Sequence, residues 1–230
     1  MKISNFVLSA AMALLMFMAI SCEKDEDENN IEKTSEFVSV EAPYLICAGR
    51  NPGGVGFDFQ YNGEKGGANN MDSLSVIDFQ YDLKIRTIKG ENGDGTLGGA
   101  PFIQLNTKSE AVNYSSVDAT CKGLIKFNAL SSANVASYTL ATDDAAFNIA
   151  SVTKGETGAP MMEGLQSEYA KLVIGEAWKA AAKNDILEDE PIWIVKTREG
   201  KLVKFIVVDF PAKPAPTASG YVAITWDYLN

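Results

Sequence analysis

The sequence predicts a mainly β protein: a β-rich α+β chain forming a single antiparallel β-sheet domain with a few short helices. Three observations favour this fold class. Apolar and polar residues alternate over residues 77–86, two β-rich runs at 192–195 and 202–210 flank a glycine turn, and the alternation returns over residues 222–228. Successive side chains of a strand point to opposite faces, so a period of two indicates strands with one buried face.

The clearest strand is predicted where apolar and polar residues alternate strictly, with the apolar positions at Ile77, Phe79, Tyr81, Leu83 and Ile85. We expect these side chains to be buried and the intervening polar side chains, Asp82 and Lys84 among them, to be exposed to solvent. The glycine-rich stretch 89–99 predicts a loop, since Gly and Asn readily adopt positive φ. A second strand is predicted over residues 101–105.

The last third of the chain predicts an antiparallel meander. The runs 191–195 and 202–210 are rich in β-branched and aromatic residues, and Gly200 between them suits a hairpin turn. A Pro-rich loop over 211–216 precedes a terminal strand in which Val222, Ile224, Trp226 and Tyr228 alternate with smaller or polar residues.

The middle of the chain leaves alternatives open. Residues 145–152 fit a strand, and residues 163–183 contain many helix formers. This second stretch fits either one helix or a strand around residues 171–174 followed by a helical turn, and Gly175 interrupts both.

The N-terminus predicts a bacterial lipoprotein. Lys2 supplies a positive charge, residues 6–20 are uncharged and apolar, and small residues lead into Cys22. This pattern is typical of a signal peptide and is too short for a spanning helix. We therefore expect residues 1–21 to be removed and Cys22 to be lipidated. The alternative is an ordinary secretory signal with an accidental cysteine.

An acidic segment follows the lipidated cysteine. Residues 23–30 read EKDEDENN, and such a run of like charge repels itself and buries nothing. It resembles the acidic tag of lipoproteins exported to the outer face of the outer membrane. We interpret residues 22–36 as a lipidated tether, residues 37–230 as the folded domain, and the cell surface as the location.

Composition excludes several functions. The net charge of −10 argues against nucleic acid as a partner. The chain has no histidine, which excludes Ser-His-Asp and Cys-His catalysis and histidine-based zinc sites. No phosphate-binding loop or nucleophile elbow is visible, so we expect no enzyme. Cys47 and Cys121 fit a disulfide or two free thiols equally well.

Two stretches resemble the HmuY-like haem-binding lipoproteins. Residues 77–102 (IDFQYDLKIRTIKGENGDGTLGGAPF) are similar to the family's strand and glycine-rich loop, with Ile77 where the family commonly has Trp. Residues 192–210 (IWIVKTREGKLVKFIVVDF) resemble its closing hairpin, and the ending GYVAITWDYLN resembles its final strand. The resemblance implies an HmuY-type fold and a surface protein that binds haem or a related porphyrin. Such a protein would present its ligand to a TonB-dependent outer-membrane transporter.

This chain lacks the two histidines with which the founding family member holds haem iron, but some relatives use methionine thioethers. The family places its ligands between the central strands and the closing hairpin, where this chain has Met161 and Met162. Flanking Gly and Pro predict an exposed loop there. The resemblance thus implies Met161 or Met162 as the iron ligand, whereas flexible Met residues also commonly fill gaps in a core.

The remaining site candidates are aromatic. Tyr169 and Trp178 lie near the methionines in sequence and would flank a porphyrin, although such residues are more often core. The second iron ligand would be Tyr169, Lys179 or none. Two other functions remain open: a surface module of the same fold that binds no haem, and a glycan-binding or glycan-processing lipoprotein that uses paired carboxylates.

Overall fold

The computed structural model describes residues 44–47, 55–59, 81–99, 101–143, 149–178, 186–209 and 221–229. Strands make up 36% of the described part of the chain and helices 20%, which confirms the prediction of a mainly β fold. The described strands are β1 Tyr44–Cys47, β2 Val55–Phe57, β3 Leu83–Thr87, β4 Gly90–Glu91, β5 Leu97–Gly98, β6 Pro101–Leu105, β7 Glu110–Asn113, β8 Trp193–Lys196, β9 Leu202–Asp209 and β10 Tyr221–Tyr228. The described α-helices are α1 Tyr114–Val117, α2 Gly123–Ala129 and α3 Met162–Tyr169.

The strands form three antiparallel sheets. The first has five strands in the order β1-β10-β9-β8-β7, the second has three in the order β2-β3-β6, and the third is the hairpin β4–β5. Strands β8, β9 and β10 are neighbours in the order in which they follow along the chain, so the predicted C-terminal meander is confirmed. Gly200 adopts a φ of +84° in the turn between β8 and β9, a conformation that favours glycine.

The central core lies between the two larger sheets. Phe57, Leu83 and Ile103 of the three-stranded sheet share one buried cluster with residues of the five-stranded sheet such as Phe205 and Trp226. Side chains alternate along each strand, and residues on the opposite faces of both sheets, such as Ile206 and Phe102, are also buried, so other elements cover these faces.

Short helices cover these outer faces. Ile206 of β9 faces away from the central core and packs with Leu124 and Phe127 of α2. On the other side of the molecule, Phe102 of β6 packs with Leu165 and other buried residues of α3. The order of layers is therefore α1 and α2, five-stranded sheet, three-stranded sheet, α3.

The strand predicted over residues 77–86 is confirmed only in part. Strand β3 begins at Leu83, and residues 77–80 lie outside the described residues. The expected solvent exposure of its polar side chains was wrong for Asp82, which is 0% exposed, and for Lys84, which is 1% exposed. Lys84 lies in β3, the central strand of the three-stranded sheet, opposite Gln104 of β6. The strands on both sides of β3 help to exclude water from it.

Three other local predictions need correction. The stretch 89–99 contains the hairpin β4–β5 rather than only a loop, and Asn92 N donates to Thr96 O at 2.8 Å across its turn. Of the strand predicted over residues 145–152, residues 145–148 lie outside the described residues, and Ile149–Ser151 form a 3-10 turn. Helix α3 ends at Tyr169, so the long helix was wrong, and the alternative strand at 171–174 is a series of turns and bends.

The N-terminal predictions lie outside the described residues. The signal peptide, the lipidation at Cys22 and the acidic tether all precede Tyr44, so each stays a prediction. Of the helices in the described part of the chain, none is long and apolar enough to cross a membrane.

Candidate functional site

Met161 and Met162 lie where the chain enters α3. Met161 is the N-cap residue, with extended backbone (φ −64°, ψ 134°), and Met162 is the first helical residue. Met161 N donates to Thr153 O at 2.8 Å, and Met161 O accepts from Leu165 N at 3.1 Å. Both side chains are half-buried, whereas the flanking Gly and Pro predicted an exposed loop. Backbone hydrogen bonds on both sides therefore fix this pair, which lies at a helix start rather than in a free loop.

Glycines in the hairpin β4–β5 allow α3 to approach closely. A β-carbon at Gly90 would lie 2.8 Å from Leu165 Cδ1 and 3.0 Å from Met162 Cε, and one at Gly98 would lie 3.6 Å from the same Met162 methyl. Any larger residue at Gly90 would push these side chains aside. The terminal methyl of Met162 consequently packs over the hairpin.

Glu91 ties the hairpin to the turn that precedes α3. Its backbone N donates to Pro160 O at 2.9 Å. Its carboxylate accepts hydrogen bonds from Glu156 N at 3.0 Å, from Thr157 N at 2.8 Å and from the Thr157 hydroxyl. A β-carbon at Gly155 would lie 2.3 Å from Glu91 Cδ, so a larger residue there would displace the carboxylate from its present position. We call this arrangement of Glu91 on residues 155–157 the Glu91 clip.

The Glu91 clip favours a charged carboxylate. Hydrogen bonds from the Thr157 side chain and backbone, followed by the one from Glu156 N, hold the pKa of Glu91 below its ordinary value. Glu91 therefore stays ionised at neutral pH and continues to accept all three bonds. The clip fixes the start of α3, and with it Met161 and Met162, against the hairpin.

Tyr169 and Trp178, predicted to flank a porphyrin, are core residues. Tyr169 is 1% exposed and stacks on Phe102 with ring centroids 4.6 Å apart. Trp178 is 0% exposed and its Nε1 donates to Pro101 O at 2.8 Å. In this arrangement neither ring offers a face to a ligand, because packing between elements distant in sequence covers both.

Tyr169 is also poorly suited as a second iron ligand. Burial and the nearby Glu176 carboxylate raise the pKa of Tyr169, and Arg86 opposes them only partly. A tyrosine binds iron as phenolate, which this environment disfavours. Lys179, the other candidate, lies outside the described residues.

A buried charge cluster was missed by the sequence analysis. Asp58 and Asp82 are both 0% exposed, and Arg198, from the turn between β8 and β9, reaches them. Arg198 Nη2 lies 3.0 Å from Asp58 Oδ2, and Arg198 N donates to Asp82 Oδ1 at 2.9 Å. Glu199 adds a third carboxylate oxygen within 4.8 Å of the other two. We call these four residues the Arg198 cluster.

The Arg198 cluster connects the turn between β8 and β9 to residues next to β2 and β3. The Arg198 guanidinium already occupies the position of a cation beside the two buried carboxylates. Burial raises the pKa of Asp82 to about 6, an effect that Asp58 increases and hydrogen bonds from Arg198 N and Phe59 N reduce. Asp82 and Arg198 are 116 residues apart in sequence, so no local pattern could have indicated the pair.

Cys121 is a free, buried thiol, so the disulfide with Cys47 is absent from this structure. Burial, reinforced by Asp118, raises the pKa of the thiol, which therefore stays protonated and unreactive. It borders a pocket of about 180 Å³, whose other lining residues include Asp118, Lys126 and Asn134.

Comparisons with known proteins leave the family open. No protein-family model, no curated protein and no solved structure matches this chain. The resemblance to HmuY-like proteins therefore stays a prediction based on the quoted sequence segments.

Proposed function

We propose that this protein is a surface lipoprotein that binds haem or a related porphyrin through a methionine thioether and presents it for uptake. The observation that carries the proposal is the half-buried pair Met161–Met162, fixed at the start of α3 by backbone hydrogen bonds and the Glu91 clip. A preorganised soft donor on a regular element is what a metal-binding site requires. The proposed class is a ligand carrier, without catalysis.

Thioether chemistry suits the composition of the chain. With no histidine available, a methionine thioether is a soft side chain that can bind haem iron, and it favours the reduced metal. Adjacent side chains diverge, so one of the two is expected to reach the iron. We assign Met161, because the terminal methyl of Met162 already packs over Gly90 and Gly98.

The test is a visible-spectrum titration of the purified protein with hemin, in air and then under dithionite. We expect a Soret shift that saturates at one equivalent and sharpens on reduction. Replacing both residues, Met161→Ala with Met162→Ala, should abolish the reduced-state spectrum, since no other thioether lies in this segment. Of the single variants, Met161→Ala should have the larger effect.

Met71→Ala is the matched control, because Met71 is the remaining methionine after the predicted signal and lies in a different part of the chain. Its spectrum should equal that of the wild type. An unchanged affinity and spectrum in the double variant would show that the ligand assignment is wrong.

The burial of Tyr169 and Trp178 favours a second candidate, a binding module of the same kind that takes no haem. Such a protein would bind another apolar ligand or a protein at the cell surface. In the same titration it would give a broad, unsaturating rise like that of free hemin.

A further inference from the structure

Arg86 is a half-buried arginine without an acidic partner. It lies on the outer face of the three-stranded sheet, opposite Phe102 of β6. Its Nε atom is buried and has no hydrogen-bond partner. Among the described residues no carboxylate lies within ion-pair distance of its guanidinium, although the chain carries a net charge of −10.

An unpartnered guanidinium in this position is costly. Arginine stays charged and offers five donors in a planar fork, and donors removed from water lose stability unless they are paired. Burial lowers the pKa of Arg86, as expected for a cation that has lost part of its hydration. The ring that stacks on Phe102 belongs to Tyr169, a phenol that cannot neutralise the charge.

Arg86, on β3, and the two methionines lie near opposite ends of α3. Met162 begins α3 and its methyl contacts the hairpin at Gly90, whereas Tyr169 ends α3 beside Phe102 and interacts electrostatically with Arg86. Tyr169 lies seven positions after Met162 in α3, a rise of about 10 Å at 1.5 Å per residue. Arg86 thus lies near one end of α3 and the thioethers near the other.

We infer that Arg86 binds a carboxylate of the ligand whose metal is held at Met161. This inference rests on the proposed function and specifies the ligand further: a flat apolar body with a carboxylate at its rim, such as the acid side chains of a porphyrin. A guanidinium pairs with a carboxylate through two parallel hydrogen bonds, which gives orientation as well as affinity.

The test compares hemin with hemin dimethyl ester on the purified full-length chain. The two ligands have the same iron and ring, but the ester has no carboxylate. In Arg86→Gln, affinity for hemin should fall about 10- to 100-fold, the range expected for a lost charge-assisted pair. Affinity for the ester should change less than about twofold, within the usual uncertainty of such a comparison.

Lys89→Gln is the matched control, since Lys89 is exposed, lies three residues further along and loses the same charge. It should bind both ligands like the wild type. Arg86→Lys keeps the positive charge but loses the planar guanidinium, so its affinity for hemin should lie between those of the wild type and Arg86→Gln. This variant also keeps the proposal testable if Arg86→Gln does not fold.

The outcomes separate the two proposals. Equal loss of both ligands in Arg86→Gln, or of neither, would overturn the role of Arg86 while leaving haem binding intact. Failure of the wild type to bind hemin would overturn the proposed function and this inference together.

Discussion

Asp82 shows how one buried carboxylate can make stability depend on pH. Its Oδ2 accepts from Phe59 N at 3.0 Å, and its Oδ1 accepts from Arg198 N at 2.9 Å and Ser109 Oγ at 3.3 Å. These bonds fix the end of β2, the start of β7 and the turn between β8 and β9. They do not fully offset burial beside Asp58, so the pKa of Asp82 rises from 3.8 to about 6.

The sign of the pH effect follows from this raised pKa. The folded state binds the proton more tightly than the unfolded state, so the stabilisation is complete below pH 4 and is lost as the pH rises through 6. The free energy of unfolding should therefore increase by about 1 kcal/mol between about pH 7.5 and pH 5 through this group. Chemical denaturation at both pH values measures it.

Asp82→Asn isolates this contribution, because it keeps the shape and removes the titration. The variant should lack the increase that the wild type shows on acidification, whatever its absolute stability. Glu163→Gln, at an exposed position in the first turn of α3, serves as the control and should retain the wild-type pH profile. Parallel pH profiles for Asp82→Asn and wild type would contradict the role assigned to Asp82.

At the scale of elements, the hairpin β4–β5 and the start of α3 hold each other. The parallel bridge between Glu91 and Met161 and the Glu91 clip join two segments that are too short to be stable alone. Each depends on the other for its hydrogen bonds, so we expect them to open as one unit.

Glu91→Gln should loosen this unit at neutral pH. The amide has one acceptor oxygen instead of two charged ones, so it cannot replace all three bonds to residues 156 and 157. The amide protons of Glu156 and Thr157 should exchange with solvent about tenfold faster, as expected when a charge-assisted bond is lost. Hydrogen exchange followed by NMR or mass spectrometry measures the change.

Glu156→Gln is the control for this comparison, because its exposed side chain lies in the same turn but outside the clip. Its exchange rates should equal those of the wild type. If Glu91→Gln also left the two amides unchanged, the clip would not determine the order of this segment.

At the scale of the whole molecule, sequence periodicity predicted the meander but not how the layers pack. The β-rich runs of β8 and β9, the apolar and polar alternation of β10 and the turn residue Gly200 are all visible in the local sequence, so the pairing of these strands could be predicted from it. Lys204 shows the limit of such patterns. It reads as a polar, outward position, yet its Nζ is buried and donates to Phe127 O at 2.7 Å and Leu130 O at 2.6 Å, at the end of α2.

The candidate site was predictable only in part for the same reason. Met161 and Met162 stood out by residue type and by their Gly and Pro neighbours. The Glu91 clip joins residues more than 60 positions apart. The burial of Arg86 Nε without a hydrogen-bond partner likewise depends on the tertiary packing around it. The stacking of Tyr169 on Phe102 likewise depends on two distant elements, so the sequence alone left open whether this ring flanks a ligand or lies in the core.

The layered architecture predicts that loss of packing in one outer layer destabilises the whole fold. All three tryptophans of the chain lie in the central core, whereas Leu165 lies in the cluster beneath α3 and is 0% exposed. Leu165→Ala should lower the free energy of unfolding by about 3 kcal/mol, typical of a buried leucine.

Two spectroscopic probes test whether the layers unfold together. Since Phe102 and Ile103 join the two clusters through adjacent positions of β6, tryptophan fluorescence should report the same shifted unfolding midpoint as circular dichroism. Ile125→Ala, at a side chain 64% exposed, should shift neither probe, and separate midpoints in Leu165→Ala would show that the α3 layer unfolds independently.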